Sequence, residues 1–223
     1  MAPRLFFALA ILLVLPACSS VEELRDQLPV MRGPDSPPEG PGCETLDFEA
    51  IPGATAAEGL AISDQYERTL GMTFRLETGG APTLAAVGRP TAAFEASAGP
   101  DTPDAGQGVG RYFLTDDGDL SGDEAPPLVV TFASPVQRAA GVLLDVDGDE
   151  TFTVEARDAS GAVVERVVIA DGDEGAGDGL ATPWAFDRPT ADVASIRIEG
   201  ERPRGRFGLG FDNFTTCAPG RAE

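Results

Sequence analysis

Between Cys43 and Cys217 the chain consists of short segments in which apolar and polar residues alternate, separated by Gly, Asp and Pro. Alternation with a period of two is typical of strands that bury one face and expose the other. After the apolar run near the start, no stretch shows the periodicity of a long amphipathic helix. The sequence therefore predicts an all-β fold, an antiparallel β-sandwich of about eight or nine strands. The predicted strands include 46–49, 72–77, 128–132, 142–146, 151–157, 163–169, 194–199 and 207–211.

Four regions between those strands predict loops or turns. Gly99–Gly110 and Gly172–Pro183 are rich in glycine, which predicts two long loops. Asp145–Glu150 stands between two predicted strands and is interpreted as a hairpin turn.

Asp117–Gly122 matches the first half of an EF-hand calcium loop, but Leu128 stands where that loop needs a bidentate glutamate. We interpret it as a solvated acidic turn, with a looser calcium loop as the alternative.

The first residues contain an apolar run, Leu5–Leu15, that follows Arg4 and leads into Pro16-Ala17-Cys18. The run is short for a membrane span and is followed by small residues, as in a secretory signal peptide. Residues 15–18 resemble the lipobox of bacterial lipoproteins, whose cysteine becomes the new N-terminus and carries acyl chains such as palmitate. We therefore expect a signal peptide over residues 1–17 and a lipid on Cys18. An ordinary signal peptide with a chance cysteine is the alternative.

Residues 18–42 contain several prolines and glycines, which predict an extended stalk rather than a packed element. The stalk would carry a folded domain over residues 43–217, followed by a short C-terminal tail over residues 218–223. A lipid on Cys18 would anchor this domain to a membrane. We therefore expect an exported protein of the cell envelope, at the outer membrane or the cell surface.

Composition narrows the classes of function. The chain has 37 acidic and 16 basic residues, and its net charge of -21 argues against nucleic acid, whose phosphates need a basic face. The absence of histidine excludes Ser-His-Asp catalysis, Cys-His catalysis and histidine-containing zinc sites. Two interpretations of the acidity stay open. One is solubility in a salty or compositionally biased proteome, and the other is a set of carboxylates that binds calcium.

The chain has three cysteines, and the assignment of Cys18 to lipid leaves Cys43 and Cys217. These two stand just before the first predicted strand and just after the last. An exported compartment permits disulfides, so we predict a Cys43–Cys217 bridge that joins the two ends of the domain. Two free buried thiols are the alternative.

Several short motifs of the predicted domain resemble one group of proteins. Leu46–Glu49 opens the domain, Asp64–Tyr66 is followed by Leu70–Phe74, and Gly210–Phe214 closes it. Together they resemble a large group of bacterial exported jelly-roll domains. Many of these occur in PEP-CTERM-type proteins, and they are similar in architecture to galactose-binding-like and carbohydrate-binding modules. The resemblance covers about residues 44–216 and implies a jelly-roll topology for the sandwich.

In jelly-roll modules of that kind a structural calcium commonly joins the first strand to the last. The resemblance makes Glu49 and Asp212 the candidate ligands, with Asp47 as a weaker third. Asp212-Asn213 also interrupts the alternation of the last strand, which predicts a β-bulge or oxygen ligands for an ion. Two carboxylates at adjoining chain ends repel each other unless one is protonated or a cation lies between them. The alternative is that Glu49 and Asp212 are surface residues on neighbouring strands.

A sugar-binding module needs exposed aromatic rings on which sugars stack. Trp184, in a predicted loop with Pro183 and Phe186, is the main candidate, and Tyr112 and Tyr66 are weaker ones. Packing of Trp184 in the core at the edge of the sandwich is the alternative.

Carboxylate catalysis is not expected. Glycoside hydrolysis needs two carboxylates, one with a raised pKa, whereas the acidic residues here concentrate in glycine-rich, solvated turns. The sequence therefore predicts a non-catalytic envelope lipoprotein with a binding module, whose ligand is a polysaccharide and whose stabilising ion is calcium. A structural lipoprotein that binds envelope proteins and no small ligand is the first alternative. A carboxylate-based glycoside hydrolase is the second.

Overall fold

The computed structural model describes residues 42–87, 108–116, 125–144, 146, 150–170, 181–201 and 210–217. These residues form two antiparallel sheets that pack face to face, which confirms the predicted all-β sandwich. They contain eleven strands, more than the eight or nine predicted. No helix in these ranges is long and apolar enough to cross a membrane. The predicted signal peptide, Cys18, stalk residues 18–41, Asp117–Gly122 and the tail 218–223 lie outside the described residues.

The elements of the sandwich are short strands with one small helix near the start. Their bounds are β1 (Cys43–Leu46), α1 (Glu67–Leu70), β2 (Met72–Leu76), β3 (Thr83–Ala86), β4 (Tyr112–Thr115), β5 (Leu128–Val136), β6 (Arg138–Leu144), β7 (Thr151–Arg157), β8 (Val163–Ala170), β9 (Ala181–Asp187), β10 (Val193–Glu201) and β11 (Gly210–Cys217).

The strands divide between a six-stranded sheet and a five-stranded sheet. The six-stranded sheet has the order β3-β4-β11-β6-β9, with β1 also paired to β11, and the five-stranded sheet has the order β2-β5-β10-β7-β8. β1 pairs with residues 214–217 of β11, and β4 pairs with residues 210–211 of the same strand. Because β6 occupies the other side of β11, the end of β1 meets the beginning of β4. The candidate site lies at that junction.

The sandwich contains two apolar clusters. The main cluster fills the space between the sheets and includes Phe48, Phe74 and Phe214. Successive strand residues point to opposite faces, so a second cluster lies on the outer face of the six-stranded sheet. Its buried members are Ala85, Val109, Phe113, Val142 and Leu144.

This double burial explains two strands that the sequence patterns miss. β3 and β4 are buried almost throughout, and a strand that is buried on both faces shows no alternation. β9 was not predicted because it contains Pro183, a residue that usually interrupts strands. Proline is tolerated here because β9 is an edge strand, where one backbone N–H is not needed for pairing. The predicted Gly172–Pro183 loop is therefore wrong for residues 181–183, which begin β9.

The hairpin interpretation of Asp145–Glu150 is also wrong. β6 ends at Leu144 in the six-stranded sheet and β7 begins at Thr151 in the five-stranded sheet, so the connection passes between sheets. The connection from β7 to β8 is a hairpin within one sheet. There Asp158 Oδ1 accepts hydrogen bonds from the N–H groups of Ser160 and Ala162, at 2.8 and 3.0 Å. Both connections are short and contain aspartate and glycine, and the difference between them lies in the sheets to which their flanking strands belong.

The predicted Cys43–Cys217 disulfide is confirmed. The two residues lie directly opposite each other on β1 and β11, with bonded sulfur atoms at 2.03 Å and Cα atoms 4.0 Å apart. The bridge joins the first strand of the domain to the last across a sequence separation of 174. It holds β1 against β11 beside the candidate site.

Candidate functional site

Asp212 is the most deeply buried charged residue of the candidate site, with 0% of its surface exposed. It lies in β11 where the register against β6 shifts between Asp212 and Thr215, so the predicted β-bulge is confirmed. Asn213 within the bulge has a φ of 52°, a left-handed conformation that asparagine adopts more readily than most residues. The bulge holds the Asp212 carboxyl against the second apolar cluster, because Asp212 pairs with Val142.

The two oxygen atoms of the Asp212 carboxyl differ in their partners. Oδ1 accepts a hydrogen bond of 2.8 Å from the Asn213 N–H, whereas Oδ2 has no partner among the described residues. Burial raises the pKa of Asp212 to about 8, the charges of Asp47 and Glu49 raise it further, and backbone N–H groups of Asn213 and Gly110 oppose the rise. Without a cation nearby, this carboxyl therefore keeps its proton at neutral pH.

Glu49 is fixed at the beginning of β4. Its Oε1 accepts hydrogen bonds from the backbone N–H groups of Arg111 and of Tyr112, the second at 2.9 Å. A Cβ at Gly110 would overlap this oxygen and would lie 2.8 Å from the Glu49 Cδ, so a larger residue there would displace the carboxylate from its present position. The loop after β1 is therefore joined to β4 through a charged side chain.

Asp47 stands between β1 and Glu49, and Phe48 fixes the conformation of this turn. Phe48 has a φ of 56° and a fully buried ring that makes edge contacts with Tyr66, Phe74 and Phe214. Asp47 and Glu49, on either side of this buried residue, are exposed, and the Asp47 Oδ1 accepts a hydrogen bond from the Glu49 N–H at 3.2 Å. Packing of one aromatic ring thus places both carboxylates on the side of Asp212.

Asp47 and Glu49, which are both exposed, lie near enough to the buried Asp212 for their charges to raise its pKa, so the three acidic residues that the resemblance implies are neighbours in unequal surroundings. The described residues contain no group of three or more His, Cys, Asp or Glu side chains that could hold a metal by themselves. The unpaired Oδ2 of Asp212 fits a direct cation ligand, while the Glu49 Oε1 is already bonded to backbone N–H groups. Calcium accepts backbone carbonyl oxygens and water beside carboxylates, so one buried carboxylate with others nearby fits its chemistry.

The aromatic residues proposed for sugar stacking lie elsewhere. Trp184 is 1% exposed and belongs to β9, not to a loop, with its ring against Phe186 and Phe214. It faces Gly141, where a Cβ would lie 2.8 Å from the indole ring. Trp184 is thus placed as in the core-packing alternative, and its indole offers no exposed stacking surface.

The two tyrosines are buried as well. Tyr112 is 9% exposed, with the Arg111 guanidinium 5.2 Å from the centre of its ring. Tyr66 donates a hydrogen bond of 3.0 Å to the Ala50 carbonyl oxygen, and burial raises the pKa of its hydroxyl. Neither ring is available as a flat surface for a sugar.

The outer face of the five-stranded sheet is polar and charged, and we call it the open face. Glu155 is 5% exposed and accepts paired hydrogen bonds from Arg157 and Arg166. Burial raises the pKa of Glu155, but these hydrogen bonds and charges outweigh it and bring that pKa below its ordinary value. Strand pairing and the Arg197–Glu77 ion pair place further polar residues on this face together with two valines, and these residues include Thr73, Arg75, Glu77, Val129, Thr131, Thr153, Val168, Arg197 and Glu199.

Sequence reasoning missed the charged pairs of the open face. Arg197 donates to both Glu77 and Glu199, with nitrogen–oxygen distances of 2.8 and 2.6 Å. A signal was available, because Glu155-x-Arg157 and Arg197-x-Glu199 place opposite charges on the same side of a strand. The pairing between strands, which brings Arg166 beside Glu155, is not readable in the local sequence.

Comparison with known proteins leaves the family open. No protein-family model matches the sequence, and no curated protein matches it. Among solved structures, the chain is similar to the K2 cleaved adhesin domain of Lys-gingipain, with 11% identity and a TM-score of 0.43. The match covers 81% of this chain and 100% of that chain. A DUF4465 family protein from Bacteroides caccae has 13% identity, a TM-score of 0.43, and coverage of 79% of this chain and 99% of its own.

A third similar structure holds the CBM22-1 and GH10 modules of the endo-1,4-β-D-xylanase 10B from Clostridium thermocellum. It has 16% identity and a TM-score of 0.39, and the match covers 80% of this chain but 28% of that chain. At these TM-scores the similarity is too low to assign a family or a ligand.

Proposed function

We propose that the protein is a non-catalytic binding module of the cell envelope that is stabilised by calcium. The observation that carries the proposal is Asp212, a fully buried carboxyl with one oxygen unpaired and with Asp47 and Glu49 nearby. A calcium ion on Asp212 would replace the proton that this carboxyl otherwise retains. Because Asp47 and Glu49 follow β1 and Asp212 lies in β11, the ion would join the two ends of the domain.

Two separate features support the proposed location of the protein. The Cys43–Cys217 disulfide supports an exported location, because such bonds persist in oxidising compartments. The anchor is proposed from the lipobox-like residues 15–18, with the lipid on Cys18. Mass spectrometry of the membrane-extracted protein tests this part: a diacylated Cys18 at the N-terminus supports it, and an unmodified Cys18 contradicts it.

The geometry of Asp212 favours an ion over glycoside hydrolysis. A carboxyl of raised pKa beside other carboxylates is also a feature of glycosidase active sites. Asp212, however, has no exposed surface, so a sugar polymer has no path to it. The Glu49 Oε1 is held by two backbone N–H groups, which leaves it poorly placed to act as a nucleophile.

We propose that a polysaccharide binds on the open face. The outer face of the six-stranded sheet is filled by the second apolar cluster, whereas the open face presents guanidinium, carboxylate and hydroxyl groups. Planar charged groups of this kind form paired hydrogen bonds with sugar hydroxyls. Arg75 and Arg166 are the exposed arginines of this face. The alternative occupant is an envelope protein, with no small ligand.

A melting experiment tests the calcium site. The full chain is unfolded thermally in EDTA and again with excess calcium or magnesium. We expect calcium to raise the midpoint, and at a hundredfold excess over Kd the gain is about 2.7 kcal/mol. Asp212→Asn should lose this response, whereas Glu155→Gln, which alters a buried carboxylate of the other sheet, should keep it. An unchanged midpoint with calcium, or an equal response of Asp212→Asn, would contradict the site.

A glycan array tests the ligand. We expect the wild-type chain to bind a subset of polysaccharides and Arg75→Ala and Arg166→Ala to bind them more weakly. Arg68→Ala is the matched control, because Arg68 is an exposed arginine on α1, outside the open face. An array without binding would favour the protein-interaction alternative and leave the calcium site unaffected.

A further inference from the structure

The edges of the two sheets differ in how they are protected. The outer edge of β3 is covered by residues 59–62: Leu84 receives a hydrogen bond from Gly59 N–H and donates one to the Leu60 carbonyl oxygen. β2 is covered in the same way, because the N–H groups of Phe74 and Leu76 donate to Ser63 and Gly80. Natural sheets protect their edges because an unpaired edge invites another strand.

The other edges use different means of protection. β9 has Pro183 in its middle, which removes one N–H from the edge, and β1 has only four residues. β8 is eight residues long and pairs with β7 on one side only. Among the described residues, no backbone hydrogen bond covers its outer edge.

One side chain protects the beginning of β8. Arg188 Nη1 donates to the Val164 carbonyl oxygen at 3.2 Å and to Glu165 Oε2 at the same distance. Its other nitrogen atoms bind Asp192, which holds the guanidinium in place. This contact ends at Glu165, so among the described residues nothing protects the edge over Arg166–Ala170, which we call the unprotected edge.

The composition of β8 is unusual for an edge strand. Val163 and Val168, 44% and 53% exposed, are the large exposed hydrophobic residues of the described ranges, and both lie on β8. The strand carries one acidic and one basic residue, so it is locally neutral in a chain of net charge -21. It contains no proline and is rich in valine, which favours strand pairing.

We propose that the Arg166–Ala170 edge of β8 pairs with the same edge of a second copy of this chain. Neutrality of the strand argues for a second copy, because elsewhere two such acidic chains repel each other. The pairing is antiparallel about a two-fold axis perpendicular to the sheet, so the same residues meet from both sides. The two five-stranded sheets become one continuous sheet.

The charges of β8 select the register. An axis at Glu165 or Arg166 would place like charges directly opposite each other, which is unfavourable. An axis at Val168 places Val168 opposite Val168, Val167 opposite Ile169, and Arg166 opposite Ala170. Val168 is also the centre of the unprotected edge, and this register covers the most exposed valine of the described residues.

This pairing would also place two open faces side by side on the same surface. That consequence rests on the proposed polysaccharide binding, whereas the pairing itself does not. Loss of glycan binding with an intact dimer, or the reverse, therefore separates the two proposals.

Sedimentation equilibrium of the purified full chain over a range of concentrations tests the pairing. We expect a monomer–dimer equilibrium, weakened at least about tenfold by Val168→Lys, because two lysines would then face each other. Val168→Glu should weaken it similarly, and an equal mixture of the two variants should restore a dimer. Val163→Lys is the matched control: it charges the other exposed valine, before the Arg188 contact, and should leave the dimer intact.

Circular dichroism shows whether each variant is folded, and Val168→Thr is a milder substitution that keeps a β-branched side chain. A wild-type chain that stays monomeric or forms larger assemblies, or a Val168→Lys dimer as tight as the wild type, would overturn the proposal. A mixture of the Lys and Glu variants that remains monomeric would overturn the register centred on Val168.

Discussion

Asp212 and Glu155 are both buried carboxyl groups, one on each sheet, and their surroundings have opposite charge. Glu155 lies between Arg157 and Arg166, whose guanidinium groups donate to both of its oxygen atoms. Asp212 has Asp47 and Glu49 nearby, and one of its oxygen atoms has no partner among the described residues. The pKa is accordingly lowered for Glu155 and raised to about 8 for Asp212.

The difference separates a structural carboxylate from one that is suited to an ion. The charge of Glu155 is balanced by residues of neighbouring strands, so its site is complete within the chain. Within the described part of the chain no arginine forms an ion pair with Asp212, so there its charge is removed by a proton or matched by a bound cation. Burial alone would not distinguish the two residues, since both are almost fully inaccessible.

The largest expected difference between the two sites is in their response to pH without calcium. The pKa of Asp212 is 3.8 when unfolded and about 8 when folded, so the folded state retains a proton that the unfolded state loses between these values. This retained proton stabilises the folded state fully below pH 4. The stabilisation, about 6 kcal/mol at most, is lost as pH rises through 8.

Urea unfolding in EDTA between pH 4.5 and 8, roughly the interval between those pKa values, measures the effect. The difference in stability between wild type and Asp212→Asn should fall as pH rises, because the substituted amide has no proton to lose in this range. A constant difference across the interval would show that Asp212 is ionised in the folded state. Excess calcium should remove the loss, since the ion requires the ionised carboxylate.

The next effect concerns the disulfide, which lies beside one site and not the other. Replacing Cys43 and Cys217 by alanine should lower the free energy of unfolding by about 2–5 kcal/mol. It should also weaken the calcium response, because the bridge holds β1, and thus Asp47, against β11. Calcium titration followed by thermal unfolding measures both. An unchanged calcium affinity would show that the site does not depend on the position of β1.

A pair of glycines gives a smaller and more local comparison. A Cβ at Gly110 would meet the Glu49 carboxylate, and a Cβ at Gly141 would meet the Trp184 ring. We expect each alanine substitution to cost about 1–3 kcal/mol, because the neighbouring group must move. Only Gly110→Ala should also weaken calcium binding, as isothermal titration calorimetry would measure. Equal calcium affinity in both variants would exclude Glu49 from the ion's surroundings.

The sequence patterns predicted those features that depend on neighbouring residues within one strand, namely its alternation and its interruption. β7 and β10 expose one face, so their alternation was readable, and the interruption at Asp212 correctly indicated a bulge. Trp184 was misplaced because its burial depends on Gly141, which faces it from another strand. The burial and ion pairing of Glu155 were not predicted, since Arg166, which binds it from β8, belongs to a different segment. Contacts between strands are thus the part that one sequence did not reveal.

The smallest expected effect is at Glu155. Glu155→Gln removes a charge but keeps two polar atoms, and because Arg166 is largely exposed the loss should be only about 1–2 kcal/mol. Folding lowers the pKa of Glu155, so its ionised carboxylate stabilises the folded state above the ordinary pKa of 4.5. This stabilisation is lost as pH falls through the pKa of the folded state, which is the reverse of the behaviour of Asp212.

Urea unfolding of wild type and Glu155→Gln at pH 7 and pH 3 measures this difference. Glu199→Gln is the matched control, because the Glu199 side chain is more exposed than that of Glu155. The Glu155→Gln difference should be larger at pH 7 than at pH 3, and that of Glu199→Gln should be smaller at both. If Glu155→Gln instead changed the calcium response, the two carboxyl groups would belong to one coupled network, and the separation between a balanced site and an ion site would fail.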